Sequence, residues 1–209
     1  VHFSGSTRVN FSSISGISHN SDFFISGSCV IDGSTDSTVL DILPTASGGF
    51  QVEIRSNLVS GKLSFRLNRQ GAAVEVSVEG LYSFGKNSFV LSYESSVLSV
   101  ILNGSSIGSG TWTAGAVSAA NGAIYIANNS TSNRGFSGSL YDFYINDTLA
   151  VLGYGSNPYD DTIASNNGTV SGSPTNMLVS ASDANDQIDA LGTAILEPRL
   201  NTQQLNLFG

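Results

Sequence analysis

Between Phe3 and about Ile145 the chain alternates short apolar runs with clusters of Gly, Ser and Asn, and no stretch sustains the 3.6-residue period of a helix. The runs predict strands at Thr7–Phe11, Phe23–Ile31, Thr38–Leu43, Phe50–Arg55, Lys62–Asn68, Ala73–Val78, Ser88–Tyr93, Val97–Leu102, Ala123–Ala127 and Ser139–Asn146. Successive side chains of a strand point to opposite sides, so Leu63, Phe65 and Leu67 share one face, as do Val74, Val76 and Val78. Such alternation gives each strand one dry face and one wet face. It predicts an all-β chain whose antiparallel sheets pack as a sandwich. The sharpest local signal is Asn103-Gly104 between the apolar run Leu98–Leu102 and Ser105-Ser106-Ile107. Both residues accept the positive φ of a type I′ turn, which predicts a β-hairpin there.

After Pro174 the pattern changes. Ser180-Ala-Ser-Asp-Ala-Asn-Asp-Gln-Ile-Asp-Ala-Leu-Gly192 has a capping Ser, early Asp residues suited to a helix N-terminus, and a Gly stop, which predicts one short helix. Pro198 then biases Glu197 toward extended backbone, and the closing residues have no pairing partner in view. The expected division is a sandwich over residues 1–174 and an extension or arm over 175–209. Leu200, Leu205, Leu207 and Phe208 are apolar in that arm, which either folds back on its own sandwich or docks on a neighbouring subunit or another protein.

Composition narrows the partners. The 209 residues suffice for one large core. Only 11% are charged against 40% hydrophobic, so Ser, Thr, Asn and Gly must supply the polar surface. A net charge of -8, from 8 Lys and Arg against 16 Asp and Glu, opposes nucleic acid and anionic membrane as partners. No stretch approaches the roughly 20 apolar residues of a membrane-spanning helix. Cys29 is the only cysteine, which excludes an intrachain disulfide. Its neighbours Ser28, Val30 and Ile31 read as strand, so it is expected as a small buried hydrophobe. Val1-His2-Phe3 reads as strand at the outset, in a chain that either starts there or is trimmed from a longer one.

In their order, Leu98-Ser-Val-Ile-Leu-Asn103-Gly104, Gly122-Ala-Ile-Tyr-Ile-Ala127 and Phe136-Ser-Gly138-Ser-Leu-Tyr-Asp-Phe-Tyr-Ile-Asn146 resemble the C-terminal half of a laminin G-like or concanavalin A-like jelly roll. Phe3-Ser-Gly5-Ser-Thr-Arg-Val9-Asn-Phe11 is similar to the opening strand of such domains, without their acidic residues there. The segment from Leu152 to Val170, with Asn166-Asn167-Gly168-Thr169-Val170, is similar to one recurring in laminin G-like proteins of tailed phages. The resemblance implies a concanavalin A-like jelly roll and a non-enzymatic structural protein on a virion surface, either a capsid decoration subunit or a tail fibre or tip component. The arm would then attach to other virion proteins, in an oligomeric assembly. A lectin-like module binding cell-surface glycan, with or without Ca²⁺, virion-borne or extracellular, is the alternative; a polysaccharide-cleaving enzyme is the third reading.

The chemistry each reading needs can be sought in the residues. Glycoside hydrolysis requires two carboxyl groups roughly 5–9.5 Å apart. The nearest spacing is Glu75-Val-Ser-Val-Glu79, on one face but about 13 Å apart along a strand. The neighbours Asp160 and Asp161 would point to opposite faces of an extended chain. His2 and His19 belong to no recognisable nucleophile motif, since no Gly-x-Ser-x-Gly elbow is present. Members of the resembled family often hold a Ca²⁺ at the sandwich rim. The loop aspartates that could serve here are Asp32, Asp36, Asp147, Asp160 and Asp161, of which the last two are the chosen candidates. Asp183-Ala-Asn185-Asp186 begins like a calcium loop but has Ile188 where that loop needs Gly. For glycan contact the candidates are Trp112, Tyr154 and Tyr159, aromatics in Gly- or Asn-rich segments. Trp112 equally suits a cover over the end of the core.

Overall fold

A computed structural model describes residues 1–151 and 168–171, apart from 13, 15, 34, 35, 58, 73, 121, 147 and 148. All of them belong to the first of two units into which the chain divides, Val1–Thr175. The second, Asn176–Gly209, lies outside the described residues, and with it the helix and arm expected there.

The described chain forms strands β1 (His2–Phe3), β2 (Arg8–Phe11), β3 (Phe23–Ile31), β4 (Ser37–Ile42), β5 (Phe50–Asn57), β6 (Lys62–Arg69), β7 (Val74–Leu81), β8 (Lys86–Glu94), β9 (Val97–Leu102), β10 (Ser105–Thr111), β11 (Ile124–Ile126), β12 (Gly138–Ile145), β13 (Leu149–Val151) and β14 (Thr169–Ser171). They make two antiparallel seven-stranded sheets. The first runs β1-β12-β3-β8-β9-β10, with β13 also on β12; the second runs β14-β2-β11-β4-β5-β6-β7. Crossovers between the sheets make this a jelly-roll sandwich, the architecture expected from the alternation.

The core lies between the sheets. Leu63, Phe65 and Leu67 of β6 are fully buried, as are Phe50, Val52 and Ile54 of β5. Rings from both sheets interlock there, Phe65 against Phe89 at 5.6 Å and Phe89 edge-on to Phe143 at 5.6 Å. Gly27 makes room for that cluster: a Cβ there would lie 3.0 Å from the Phe143 ring and 3.1 Å from Phe89. The β9–β10 hairpin turns on Asn103 (φ 51°) and Gly104 (φ 77°), both in the left-handed region that the Asn-Gly pair allows. Val74, expected inside with Val76 and Val78, is exposed because a bulge between β6 and β7 pairs Leu67 with Val76 but Asn68 with Val74.

The expectation of one wet face per strand fails for β4, where every residue from Ser37 to Ile42 is buried. The cause is the connection from β11 to β12, which runs over the outer face of the second sheet and covers the polar side chains there.

Candidate functional site

Cross-strand register draws a polar row across the outer face of the second sheet. Thr169, Asn10, Tyr125, Asp41, Glu53, Arg66 and Ser77 are successive direct partners from β14 through β7. Direct partners place their side chains on the same face, so Asp41 and Glu53 stand side by side. Next to this row, Gln51 of β5 pairs with Asn68 of β6.

Asp41 and Glu53 from the row, with Gln51 and Asn68, floor a groove of about 540 Å³. One wall is the 129–134 segment; the opposite rim is the β6–β7 turn at Gln70, Gly71 and Ala72. Asparagines hold the wall in shape. Asn128 Oδ1 accepts from the backbone N–H groups of Asn129 (2.9 Å) and Arg134 (3.2 Å), and Asn129 Nδ2 donates to Asn133 Oδ1 at 2.7 Å. From β2, Arg8 donates to the carbonyls of Asn129 (3.2 Å) and Ser130 (3.0 Å) while its guanidinium lies 4.9 Å over the Tyr125 ring. Gly135 ends the wall where a side chain would strike the Gly5 carbonyl, so only glycine fits.

The floor is charged and closely bonded. Glu53 Oε1 accepts from the Arg55 guanidinium, and Glu53 Oε2 accepts from Asn68 Nδ2 at 2.7 Å. Asp41 Oδ1 accepts from Gln51 Nε2 at 2.7 Å, and Oδ2 from the Ser130 N–H at 3.4 Å. Burial, reinforced by the neighbouring Glu53 charge, raises the Asp41 carboxyl to about 6 against the pull of its hydrogen bonds and Arg55. Two floor atoms, Asn68 Oδ1 and Arg55 Nε, are buried without a partner among the described residues.

A protonatable acid beside a second carboxylate is the arrangement glycosidases use. The geometry here obstructs that use. Asp41 is 2% exposed and Glu53 3%, and every carboxyl oxygen already accepts from a neighbouring donor, so burial keeps both acids from an incoming sugar. What remains reachable is the upper lining: half-buried Gln51, Arg55, Gln70 and Arg134, and exposed Asn133.

The sequence candidates fall elsewhere. Trp112 is buried, its ring edge-on to Phe50 at 5.1 Å and its indole N–H donated to the Gly115 carbonyl at 3.0 Å. It covers the core and offers no open face to a ligand, which corrects its assignment as a glycan contact. Tyr154, Tyr159, Asp160, Asp161, Asp147, Leu200, Leu205, Leu207 and Phe208 lie outside the described residues. Glu75 and Glu79 are exposed and paired with cations, Glu75 with Arg69 at 3.6 Å and Glu79 with Lys62 at 3.6 Å. His2 gathers the Ser139 hydroxyl (3.3 Å) and, at 4.0 Å, Asp32, both on Nδ1. A catalytic triad needs them on opposite ring nitrogens. Among the described residues no three His, Cys, Asp or Glu side chains gather into one group.

The absence of a carboxylate pair, argued from spacing along single strands, is corrected by Asp41 and Glu53. They are twelve positions apart and meet only through register. The available signal was an acid inside an apolar run, in Leu40-Asp41-Ile42 and Val52-Glu53-Ile54.

No protein-family model matches the sequence, and neither does any curated protein. Solved structures do share the fold. The native heptameric SAP-like pentraxin from Limulus polyphemus is similar over 82% of this chain and 94% of its own, with a TM-score of 0.55 and 13% identity. Domains LG4-5 of the mouse laminin α1 chain match at 0.56 and 15% identity, over 78% of this chain and 44% of theirs. A putative carbohydrate binding protein from Bacteroides ovatus matches at 0.57 and 15% identity, over 82% and 57%. The chain therefore has the laminin G-like, concanavalin A-like jelly-roll fold.

Proposed function

We propose that this chain is a lectin-like recognition module that holds a glycan in the groove over β4, β5 and β6 and carries out no chemistry on it. The observation that carries the reading is the groove itself: amides and guanidiniums line an opening of about 540 Å³, between a hydrogen-bonded loop wall and a turn, over a floor whose carboxylates are buried and bonded to neighbouring donors. Fixed amide and guanidinium groups are what sugar hydroxyls require as donors and acceptors. The putative carbohydrate binding protein among the structural neighbours agrees with this reading.

The test is a glycan array with the wild-type chain and Ala72→Trp, with and without chelator. Ala72 is exposed on the rim turn, so a tryptophan there overhangs the groove without entering the core. The reading expects a defined set of glycans in the wild type and their loss in Ala72→Trp. Silence of the wild type, or an unchanged profile in the variant, contradicts it; loss on chelation alone assigns a Ca²⁺ requirement.

The virion surface, head or tail, is the setting implied by the phage resemblance of the segment around Asn166-Asn167-Gly168, with extracellular display as the alternative. In that setting residues 175–209 attach the module to other virion proteins. The heptameric pentraxin neighbour supports display in several copies. Deletion after Pro174 should abolish incorporation into particles while leaving glycan binding intact; unchanged occupancy contradicts the attachment.

A further inference from the structure

We propose that the glycan held in the groove bears a carboxylate, as uronic and sialic acid residues do, and that Arg134 receives it. The inference rests on the groove being the glycan site.

Cations are scarce in this chain, 8 Lys and Arg against a net charge of -8. Four of them gather here. Arg55 and Arg134 line the groove, Arg66 stands opposite Glu53 on the next strand, and Arg8 braces the wall from behind. Arg66 is held below the ordinary arginine range by burial, reinforced by the positive charges of Arg55 and Arg134. Three of the four have structural partners: Arg55 pairs with Glu53, Arg66 lies 3.9 Å from Glu79, and Arg8 holds two wall carbonyls. An anion that enters the opening meets the positive potential they share with Arg134.

Arg134 is the group placed to meet that anion. Its backbone is fixed at both ends, the N–H on Asn128 Oδ1 at 3.2 Å and the carbonyl accepting from the Thr38 N–H at 2.9 Å. Its guanidinium has no hydrogen-bond or ion-pair partner among the described residues. The groove's own acids cannot serve. Glu53 is held by Arg55 and Asn68, and Asp41 by Gln51 and the Ser130 N–H. A planar guanidinium fork matches the two coplanar oxygens of a carboxylate.

The experiment uses a panel of uronic and sialic acid oligosaccharides, each beside its methyl-esterified or carboxyl-reduced twin, titrated calorimetrically into the full chain and into Arg134→Gln and Arg134→Lys. The acidic member should bind about tenfold or more tightly than its neutral twin. Arg134→Gln should erase that ratio at an unchanged melting temperature, and Arg134→Lys should restore part of it. Added salt should weaken the acidic member selectively. Equal binding of the twins, or a ratio that survives Arg134→Gln, overturns the carboxylate assignment while the groove reading stands. Failure of every member to bind overturns both.

Discussion

Asp41 and Glu53 are direct partners across the β4–β5 ladder, two acids side by side under a covering loop in which the Ser130 N–H points at Asp41. Like charges directly opposite on a sheet destabilise it, and burial adds the cost of desolvation. The structure bears this arrangement by surrounding it with Gln51, Arg55 and Asn68 as donors, and the residual strain appears in the raised Asp41 carboxyl.

That shift sets a pH dependence. Asp41 ionises at about 6 in the folded chain and near its ordinary value of 3.8 in the unfolded one, so between those limits the folded state holds more protons and its stability falls as pH rises. Asp41→Asn should remove this slope. Denaturant unfolding of both proteins from pH 4 to pH 7.5 should show the wild type losing on the order of 2 kcal/mol relative to the variant as pH increases. Parallel profiles would refute the buried, charge-opposed placement of Asp41.

Gly135→Ala tests the wall. A methyl group there strikes the Gly5 backbone carbonyl, so either the 129–134 segment or the strand entry at Gly5 must shift. The expected outcome is a loss of about 1–3 kcal/mol in chemical denaturation. Glycan affinity should fall with it, measured below the melting temperature.

Asn87 is fully buried and bonded to five groups of the β7–β8 and β9–β10 turns. Its Oδ1 accepts from the Ser83 N–H at 2.8 Å, the Ser83 hydroxyl at 3.2 Å and Asn103 Nδ2 at 2.9 Å; its Nδ2 donates to the Ser83 and Gly85 carbonyls at 2.9 and 3.0 Å. Asn87→Ala removes all five bonds, and thermal and urea melts should show about 2–4 kcal/mol of destabilisation with glycan binding unaffected at low temperature.

Cys29 is fully buried on β3, and burial pushes its thiol up to about 12. The thiolate is the reactive form. A thiol reagent at pH 8 should therefore label the native chain negligibly over hours and the urea-unfolded chain stoichiometrically within minutes. Rapid native labelling would contradict the core placement.

The strands were legible because their alternation is decided residue by residue. Phe23–Ile31 and Val97–Leu102 match the expected bounds at both ends. β10 was readable only as the second arm of the Asn103-Gly104 hairpin, since Ser105–Thr111 is mostly Ser and Gly and owes its strand form to pairing with β9. The three-residue β13 and β14 carry no pattern of their own and exist through β12 and β2. The groove was illegible for a related reason. Asp41, Glu53, Asn68 and Arg134 come from four separate segments, and only strand register and the path of the covering loop bring them together. Trp112 could be read either way because an indole in a Gly-rich segment satisfies both readings; Phe50 and the Gly115 carbonyl decide it.

The most direct test of the groove as the ligand site is a chemical-shift titration of the isotope-labelled chain with the oligosaccharide that binds it best in the array. The account predicts saturable shifts at the backbone amides of Gln51, Asn68, Ser130 and Arg134. Shifts confined to the outer face of the other sheet, around Val90, Ile101 and Tyr144, would contradict it.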